Sequence, residues 1–244
     1  MKSKTIASFQ WFWLSLIIHR PSLIAEPIVS SRAEILARIR SRQGKAVTPR
    51  TTEREAVAAE IAARAAGPRP GMPAGLEVRF VERARSLATT VEDLAGLQEL
   101  PRAVADYLQR QSLPPAAVCW PAYAGLDWAG AGLAAEPRPA RATDLVGITG
   151  VFCAIAETGT LMLCSGEATP ALNSLLPETH IAVVPRSRIL SGMEEGWALL
   201  RAELGAMPRA VNFVSGPSRT ADIEQTVTLG AHGPYRVHVL LLSQ

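Results

Sequence analysis

Residues Phe213–Gln225 read FVSGPSRTADIEQ, and this stretch organises the rest of the chain. An apolar run of β type leads into it. Gly216 allows a tight backbone turn there, and Pro217 cannot continue the hydrogen bonding of an incoming strand. Hydroxyl side chains then precede a segment with acidic residues near its start, which predicts a capped helix over residues 220–229. The stretch therefore predicts a strand, a loop of small residues and a helix N-terminus in succession.

The loop in this stretch is a candidate anion site. A helix N-terminus presents free backbone N–H groups and a partial positive charge, and an arginine beside it can grip a carboxylate or phosphate with two hydrogen bonds. A well-capped turn that binds no ligand explains the same residues. The loop matches neither the P-loop nor the G-x-G-x-x-G pattern, so nucleotide binding does not follow from it. The candidate ligands of an anion are Ser215, Gly216, Ser218, Arg219 and Thr220.

The net charge of +3 is unevenly spread along the 244 residues. Residues 1–30 carry a net charge of +2 and residues 31–70 carry nine Arg and Lys against four Glu, which leaves −4 on residues 71–244. Aromatic residues are few and are not interleaved with the basic ones, which argues against a nucleic-acid partner. No run is long and apolar enough for a membrane span. The high isoelectric point thus describes the N-terminal part of the chain.

The cysteines are Cys119, Cys153 and Cys164, and they show neither C-x-x-C spacing nor an even count. This pattern argues against an iron–sulfur ligand set, a zinc ribbon and a disulfide framework. We predict buried thiols in a reducing compartment. The expectation is a cytoplasmic protein that itself binds no metal and no cofactor.

Three regions are predicted. Residues 1–28 place Lys2 and Lys4 before an apolar run but lack a good cleavage pattern, so a wrongly assigned start explains them better than a membrane-touching anchor. Residues 29–110 are predicted to form a helical arm and residues 111–244 an α/β domain, unless residues 29–244 make a single domain.

Helix signals mark the arm. The segment Ser31–Arg42 begins with an S-x-x-E capping box and repeats its apolar residues on one face, which predicts a helix. A second helix is predicted over about Thr52–Ala66, and a third over Leu76–Ala88 after a turn rich in Pro and Gly.

Beyond the arm, short apolar strands alternate with helices. This rhythm predicts an α/β fold with a mostly parallel sheet and flanking helices. The predicted helices are Glu99–Gln111 and Met193–Leu204, besides residues 220–229. The predicted strands are Ala116–Trp120, Phe152–Ala156, Thr160–Cys164, His180–Pro185, Ala210–Val214 and Arg236–Leu242, and Leu145–Val151 is predicted to be a strand or a turn.

Two further side chains are candidates for catalysis. Glu157 lies on a predicted tight turn between two apolar strands, where a carboxylate can act as a nucleophile or a base, or can simply be a solvated turn residue. His232 lies in the glycine-rich loop GAHGP, where a neutral imidazole can serve as a base or ligand. His180 and His238 sit in apolar strands and are predicted to be core residues.

Three stretches resemble the LUD-domain family, and within it the lactate utilization protein C group. They are GITGVFCAIAETGTLMLCSG (residues 147–166), LNSLLPETHIAVVP (172–185) and VSGPSRTADIEQTVTLGAHGPYRVHVLLL (214–242). The resemblance is dense over about Leu145–Leu242 and looser over Ser31–Leu145.

The resemblance implies a fold related to the sugar-isomerase and CoA-transferase superfamily. It also implies a non-iron–sulfur component of L-lactate oxidation to pyruvate, acting with two iron–sulfur proteins of the same operon, which would hold the clusters. Relatives in the superfamily use a glutamate to attack acyl groups, and Glu157 is the nearest candidate.

The residues leave three hypotheses open. The first is an accessory protein of lactate oxidation in which Arg219 binds a small carboxylate, His232 orients or exchanges a proton with its hydroxyl, and Glu157 borders the pocket. The second is an acyl- or phosphoryl-transfer enzyme with Glu157 as nucleophile. The third is a structural module whose basic helices dock an acidic partner. No independent catalytic motif decides whether the chain is an enzyme.

Overall fold

The computed structural model describes residues 31–46, 48–65, 67–69, 71, 75–220 and 228–243. The chain divides into two compact units, Met1–Gly67 and Pro68–Gln244. The predicted extension over residues 1–28 lies outside the described residues, as do residues 221–227.

The first unit contains two helices, α1 (Ser31–Arg42) and α2 (Thr51–Ala63). The bounds of α1 are those that the capping box and the apolar period predict. Neither helix has a buried residue. The Arg40 guanidinium connects the two helices, since it donates to the Glu53 carboxylate at 3.0 Å and to the Ala46 carbonyl at 2.5 Å.

The second unit contains four helices and twelve strands among its described residues. The helices are α3 (Leu76–Ser86), α4 (Leu100–Arg110), α5 (Leu172–Leu175) and α6 (Met193–Leu204). The strands are β1 (Thr90–Leu94), β2 (Ala116–Cys119), β3 (Ala134–Glu136), β4 (Val146–Thr149), β5 (Cys153–Ile155), β6 (Thr160–Cys164), β7 (Thr179–Pro185), β8 (Ile189–Leu190), β9 (Val211–Val214), β10 (Arg219–Thr220), β11 (Thr228–Leu229) and β12 (Arg236–Leu242).

The main sheet has six strands in the order β1-β12-β7-β4-β2-β3, and every neighbouring pair is parallel. Its inner strands β7 and β12 are buried along almost their whole length. Both read as continuous apolar runs because a parallel sheet is covered on both faces. Helix α4 contributes Leu100, Val104 and Leu108 to the same core. The predicted α/β class with a mostly parallel sheet is confirmed.

A second, four-stranded sheet has the order β8-β5-β6-β9. Strands β5 and β6 form the predicted hairpin, and Gly159 in its turn has a φ of +68°. A Cβ on Gly159 would lie 2.4 Å from the Ala84 nitrogen, so the turn packs closely on α3 and tolerates only glycine. This contact fixes the position of the neighbouring Glu157.

Residues 76–110 differ from the predicted arm. They supply α3, β1 and α4 to the second unit, because β1 pairs in parallel with β12, with Thr90 opposite His238. The boundary between the compact units therefore precedes the predicted one.

The helix predicted over residues 220–229 is wrong at both of its ends. Residues Arg219–Thr220 and Thr228–Leu229 are strands β10 and β11, which pair antiparallel. β-Branched Thr residues on both strands favour this pairing over a helix. Asp222 and Glu224 lie outside the described residues. The candidate anion loop consequently leads into strand β10.

Candidate functional site

Ser218 ties two chain segments together just before the amino end of β12. Its N–H donates to the Pro234 carbonyl at 2.9 Å, and its own carbonyl accepts from the Gly230 N–H at 2.9 Å. The Ser218 hydroxyl accepts from the His232 N–H at 3.3 Å. The structure thus brings the SGPSR loop (residues 215–219) and the GAHGP loop (residues 230–234) into direct contact.

Gly216 sets the position of the SGPSR loop against the end of α3. Its φ is +80°, and a Cβ at this position would lie 2.4 Å from the Leu87 carbonyl oxygen. Both observations require glycine. The Arg219 guanidinium donates to the same Leu87 carbonyl at 3.4 Å. The loop is therefore held by backbone contact, while the exposed Arg219 side chain lies over the end of α3.

A cavity of about 210 Å³ opens beside this loop, at the amino ends of β1 and β12. The described residues that line it include two arginines and two tyrosines and no acidic side chain. Its volume is below the ~300–1,000 Å³ of sites for drug-sized ligands, so it suits a ligand of few atoms. The lining residues are Ala88, Thr90, Tyr107, Gln111, Pro217, Arg219, Tyr235, Arg236 and Val237.

The charge on the cavity wall comes from Arg219 and Arg236. The Arg236 guanidinium lies 5.0 Å from the centre of the Tyr235 ring and donates to the Thr179 hydroxyl at 3.4 Å. Burial raises the pKa of Tyr107, so its phenol remains neutral at pH 7. The cavity therefore combines fixed positive charge with neutral hydrogen-bonding groups, which is the chemistry of an anion site.

A stacked pair of rings supports the wall of the cavity. The Tyr107 and His238 rings stack with centroids 4.0 Å apart, and the His238 Nδ1 lies 2.8 Å from the Thr90 hydroxyl. His238 is fully buried, and its Nε2 has no hydrogen-bond partner among the described residues. Burial is the main cause that lowers the pKa of His238 to about 4. The ring is therefore neutral near pH 7.

Glu157 belongs to a separate cluster at the start of α6. Its N–H donates to the Ser191 carbonyl at 3.0 Å. Its carboxylate and the side chains of Arg69 and Glu195 converge around Gly192, where a Cβ would lie 3.0 to 3.1 Å from all three. Arg69 pairs with Glu195 at 2.5 Å and with Glu194 at 3.3 Å. The hydrogen bond from Arg69 is the main cause that lowers the pKa of Glu195.

Three hydroxyls run from the Glu157 turn to the SGPSR loop. The Thr158 and Thr160 hydroxyls lie 2.8 Å apart, and the Thr160 hydroxyl lies 2.7 Å from that of Ser215. Within the described part of the chain, Glu157 shares no hydrogen bond or ion pair with Arg219 or His232. The candidate residues therefore fall into two clusters that the hydroxyls connect.

Of the predicted anion ligands, only Arg219 lines the cavity. Ser215, Gly216 and Ser218 shape the loop behind it, and His232 is exposed with its backbone bound to Ser218. The structure places His180 in the core, as predicted, with its Nε2 2.8 Å from the Thr149 hydroxyl.

Sequence reasoning missed Tyr107, Gln111, Tyr235 and Arg236 as cavity residues. Tyr107 and Gln111 come from α4 and the residue after it, more than a hundred positions before the loop. One signal was present in the sequence, since Tyr235 and Arg236 are large polar residues immediately before the apolar run of β12. A polar pair at the entrance of a buried strand indicates a site at that edge.

The described residues offer neither a metal cluster nor a membrane-spanning helix. No group of three or more His, Cys, Asp and Glu side chains there is arranged to hold a metal ion. None of the described helices combines the length and the apolar character that crossing a bilayer requires. Cys119 and Cys153 are buried and Cys164 is half-buried, and burial raises the pKa of all three thiols.

Comparison with known proteins gives the family. The model of the LUD domain matches residues 78–242, which include the whole cavity. Lactate utilization protein C 1 of Bacillus mycoides (strain KBAB4) is 41% identical over 106 residues, which are 42% of this chain and 45% of that protein. Lactate utilization protein C of Bacillus subtilis (strain 168) is 38% identical over 101 residues, 40% of this chain and 42% of that protein. These matches span less than half the length of the curated relatives.

A solved structure shows the same fold. The crystal structure of a duf162 family protein from Deinococcus radiodurans superposes with a TM-score of 0.50 at 24% identity, and covers 71% of this chain and all of that chain. It supports the arrangement of sheets and helices and nothing finer. With more than half of its length matched by the domain, the chain belongs to the LUD domain family.

Proposed function

We propose that this chain takes part in lactate utilization as a component without an iron–sulfur cluster, and that its cavity binds a small carboxylate such as lactate or pyruvate. The observation that carries the proposal is the cavity of about 210 Å³ with Arg219 and Arg236 in its wall. The cavity lies within residues 78–242, which match the LUD domain. The relatives are named lactate utilization proteins, and this name suggests the substrate class.

The two arginines would bind the carboxylate. A guanidinium presents paired N–H donors that match the two oxygens of a carboxylate, and the absence of acidic side chains among the described lining residues leaves this charge uncompensated. The Tyr107 phenol and the Gln111 amide offer neutral hydrogen bonds for a hydroxyl or keto oxygen on the neighbouring carbon. This arrangement suits a 2-hydroxy or 2-keto acid.

The predicted roles of His232 and Glu157 change in this proposal. His232 would act through its loop. Its backbone N–H donates to the Ser218 hydroxyl, and Ser218 immediately precedes Arg219 in the chain, so this contact helps to position Arg219. Glu157 would stay at a distance from the carboxylate, in the cluster with Arg69. Both are therefore positioning residues in the proposal.

The oxidation itself would need partners. Converting L-lactate to pyruvate removes two electrons and two protons, and we propose that two iron–sulfur proteins of the same operon accept the electrons while the protons pass to water. This chain would hold the carboxylate and present the C–H and O–H bonds of lactate to them. Because the oxidation depends on these partner proteins, growth of cells on lactate is the readout of the complete reaction.

The test combines growth and binding. We expect Arg219→Ala and Arg236→Ala to abolish growth on lactate in cells that lack the native gene, and to weaken pyruvate binding to the purified chain by at least about tenfold, the effect of losing about 1.4 kcal/mol. Titration calorimetry measures the binding. Arg201→Ala, an exposed arginine of α6, is the matched control and should behave like the wild type.

The proposal would be overturned if the Arg219→Ala and Arg236→Ala proteins fold, bind pyruvate normally and support normal growth on lactate. Normal binding with lost growth would overturn the carboxylate site alone and leave a role through the partner proteins. Circular dichroism confirms that each variant is folded.

A further inference from the structure

The helices α1 and α2 carry apolar side chains that nothing within the described residues buries. Ile35 and Ile39 of α1 are 56% and 46% exposed, and Val57 and Ile61 of α2 are 60% and 71% exposed. An isolated helix of about 12 residues is only marginally stable in water, because most helical stability in proteins comes from packing an apolar face. The two helices therefore present a face that is suited to a further partner.

A concave groove of about 380 Å³ runs along α2. Its apolar part is formed by Val57, Ala58 and Ile61, which recur at helical spacing on one face. The preceding loop and the first turn of α2 contribute the basic side chains of Lys45 and Arg54 to the same groove. The groove thus has an apolar stripe with positive charge beside it.

Most of the charge on this groove is positive. Its acidic residue, Glu53, is compensated by Arg40, whose hydrogen bond is the main cause that lowers the pKa of the Glu53 carboxyl. Lys45 and Arg54 make no ion pair among the described residues. Residues 31–65 as a whole carry eight basic and four acidic side chains.

We propose that the groove along α2 binds an acidic amphipathic helix of a partner protein. Such a helix would lay its apolar residues on Val57 and Ile61 and would place carboxylates beside Lys45 and Arg54, in the helix-in-groove mode of recognition. The positive charge of residues 31–65 favours an acidic partner and disfavours a second copy of the same unit.

The composition of residues 31–65 favours a protein over a nucleic acid or a membrane. The segment contains no Trp, Tyr or Phe, the residues on which bases stack and which anchor interfacial helices in lipid. A concave apolar groove matches the convex face of a helix.

This inference adds a docking surface to the proposed function, but it is tested without lactate. The probe is a fluorescein-labelled peptide of about 18 residues, with Leu at helical i, i+3, i+4 and i+7 spacing and Glu at the flanking positions. The control peptide has the same composition in scrambled order. Fluorescence anisotropy with the full chain measures both.

We expect the amphipathic peptide to bind and the scrambled peptide to bind at least about tenfold more weakly. Ile61→Ser and Arg54→Glu should each weaken binding by a similar factor. Ala59→Ser is the control for Ile61→Ser, because it introduces a serine hydroxyl on the opposite face of α2. It should leave peptide binding unchanged. Arg219→Ala should also leave it unchanged, which separates this surface from the carboxylate cavity.

Three results would overturn the inference. One is equal binding of the two peptides, and another is failure of the amphipathic peptide to bind the full chain. The third is tighter, Ile61-dependent binding to duplex DNA or to phosphatidylserine vesicles in place of the peptide. All the substituted residues are exposed, so circular dichroism should show the same folded protein throughout.

Discussion

The helices α3 and α4 of the sheet domain and the helices α1 and α2 of the first unit are of similar length but differ completely in burial. Helix α4 buries Leu100, Val104 and Leu108 at a four-residue spacing. Helix α1 places Ile35 and Ile39 at the same spacing and buries neither. The apolar pattern of a helix thus shows that the helix needs a partner surface, and only the fold shows whether the chain itself supplies one.

The two regions consequently draw their stability from different sources. Burying one large aliphatic side chain contributes roughly 1.5–3 kcal/mol, so α4 is fixed chiefly by the core of the main sheet. The helices α1 and α2 rely on local terms, such as the Arg40–Glu53 ion pair, which solvent screens at the surface. Substitutions in the two regions should therefore have very different effects.

The largest effect is expected for Phe80→Ala in α3. Phe80 is fully buried in the main core, and removing a buried phenyl ring leaves a cavity as well as losing its transfer free energy. We expect a loss of about 3–5 kcal/mol in the free energy of unfolding, measured with urea. Val78→Ala on the exposed side of the same helix is the control and should change it by less than about 0.5 kcal/mol. Equal effects of the two would mean that α3 is not held by the sheet.

Acid should destabilise the sheet domain through its two buried histidines. Burial lowers the pKa of both His180 and His238 to about 4, from an ordinary value of 6.5. The unfolded chain therefore binds protons near pH 6.5 that the folded chain accepts only near pH 4. The free energy of unfolding is therefore unaffected above about pH 6.5. It falls as the pH drops from 6.5 to 4, by up to about 3 kcal/mol for each histidine.

The charged groups around His238 do not remove this effect. The Glu92 carboxylate lies 4.0 Å from its Nε2, but Arg110 pairs with that carboxylate and itself lowers the pKa of His238. Urea unfolding at several pH values measures the dependence. His180→Gln should flatten the curve between pH 6.5 and 4. A flat curve for the wild type would contradict the prediction.

Elements with strong local signals were predictable from the sequence. The capping box and apolar period give the bounds of α1, and the Gly159 turn gives the hairpin of β5 and β6. The pairing of β1 with β12 was not predictable, because it joins residues about 150 positions apart, and no local pattern encodes that register. The two ends of the helix expected over residues 220–229 are strands instead, because capping residues also suit turns and strands when tertiary pairing favours them.

The candidate site shows the same division. Arg219 was predictable, since it lies in a loop whose glycine and proline mark a special backbone. Tyr107 and Arg236 were not, because they meet only after α4 packs on the main sheet and β12 enters it. Loop residues can therefore be proposed from local chemistry, whereas the opposite wall of a cavity depends on the topology of the sheet.

The smallest effect is expected for Ile39→Ala in α1, and this result tests the comparison of the two helix pairs most directly. Ile39 is about half exposed, so truncation loses little buried area, and alanine raises the helix propensity by a few tenths of a kcal/mol. The two terms oppose each other, and we expect a change of less than about 0.5 kcal/mol in the free energy of unfolding, measured by circular dichroism at increasing urea. Val104→Ala, in the buried stripe of α4, should lose about 1–3 kcal/mol because its missing methyl groups leave a cavity in the core. A loss of that size for Ile39→Ala would mean that another surface already covers α1 in the free protein, and the two helix pairs would then be stabilised in the same way.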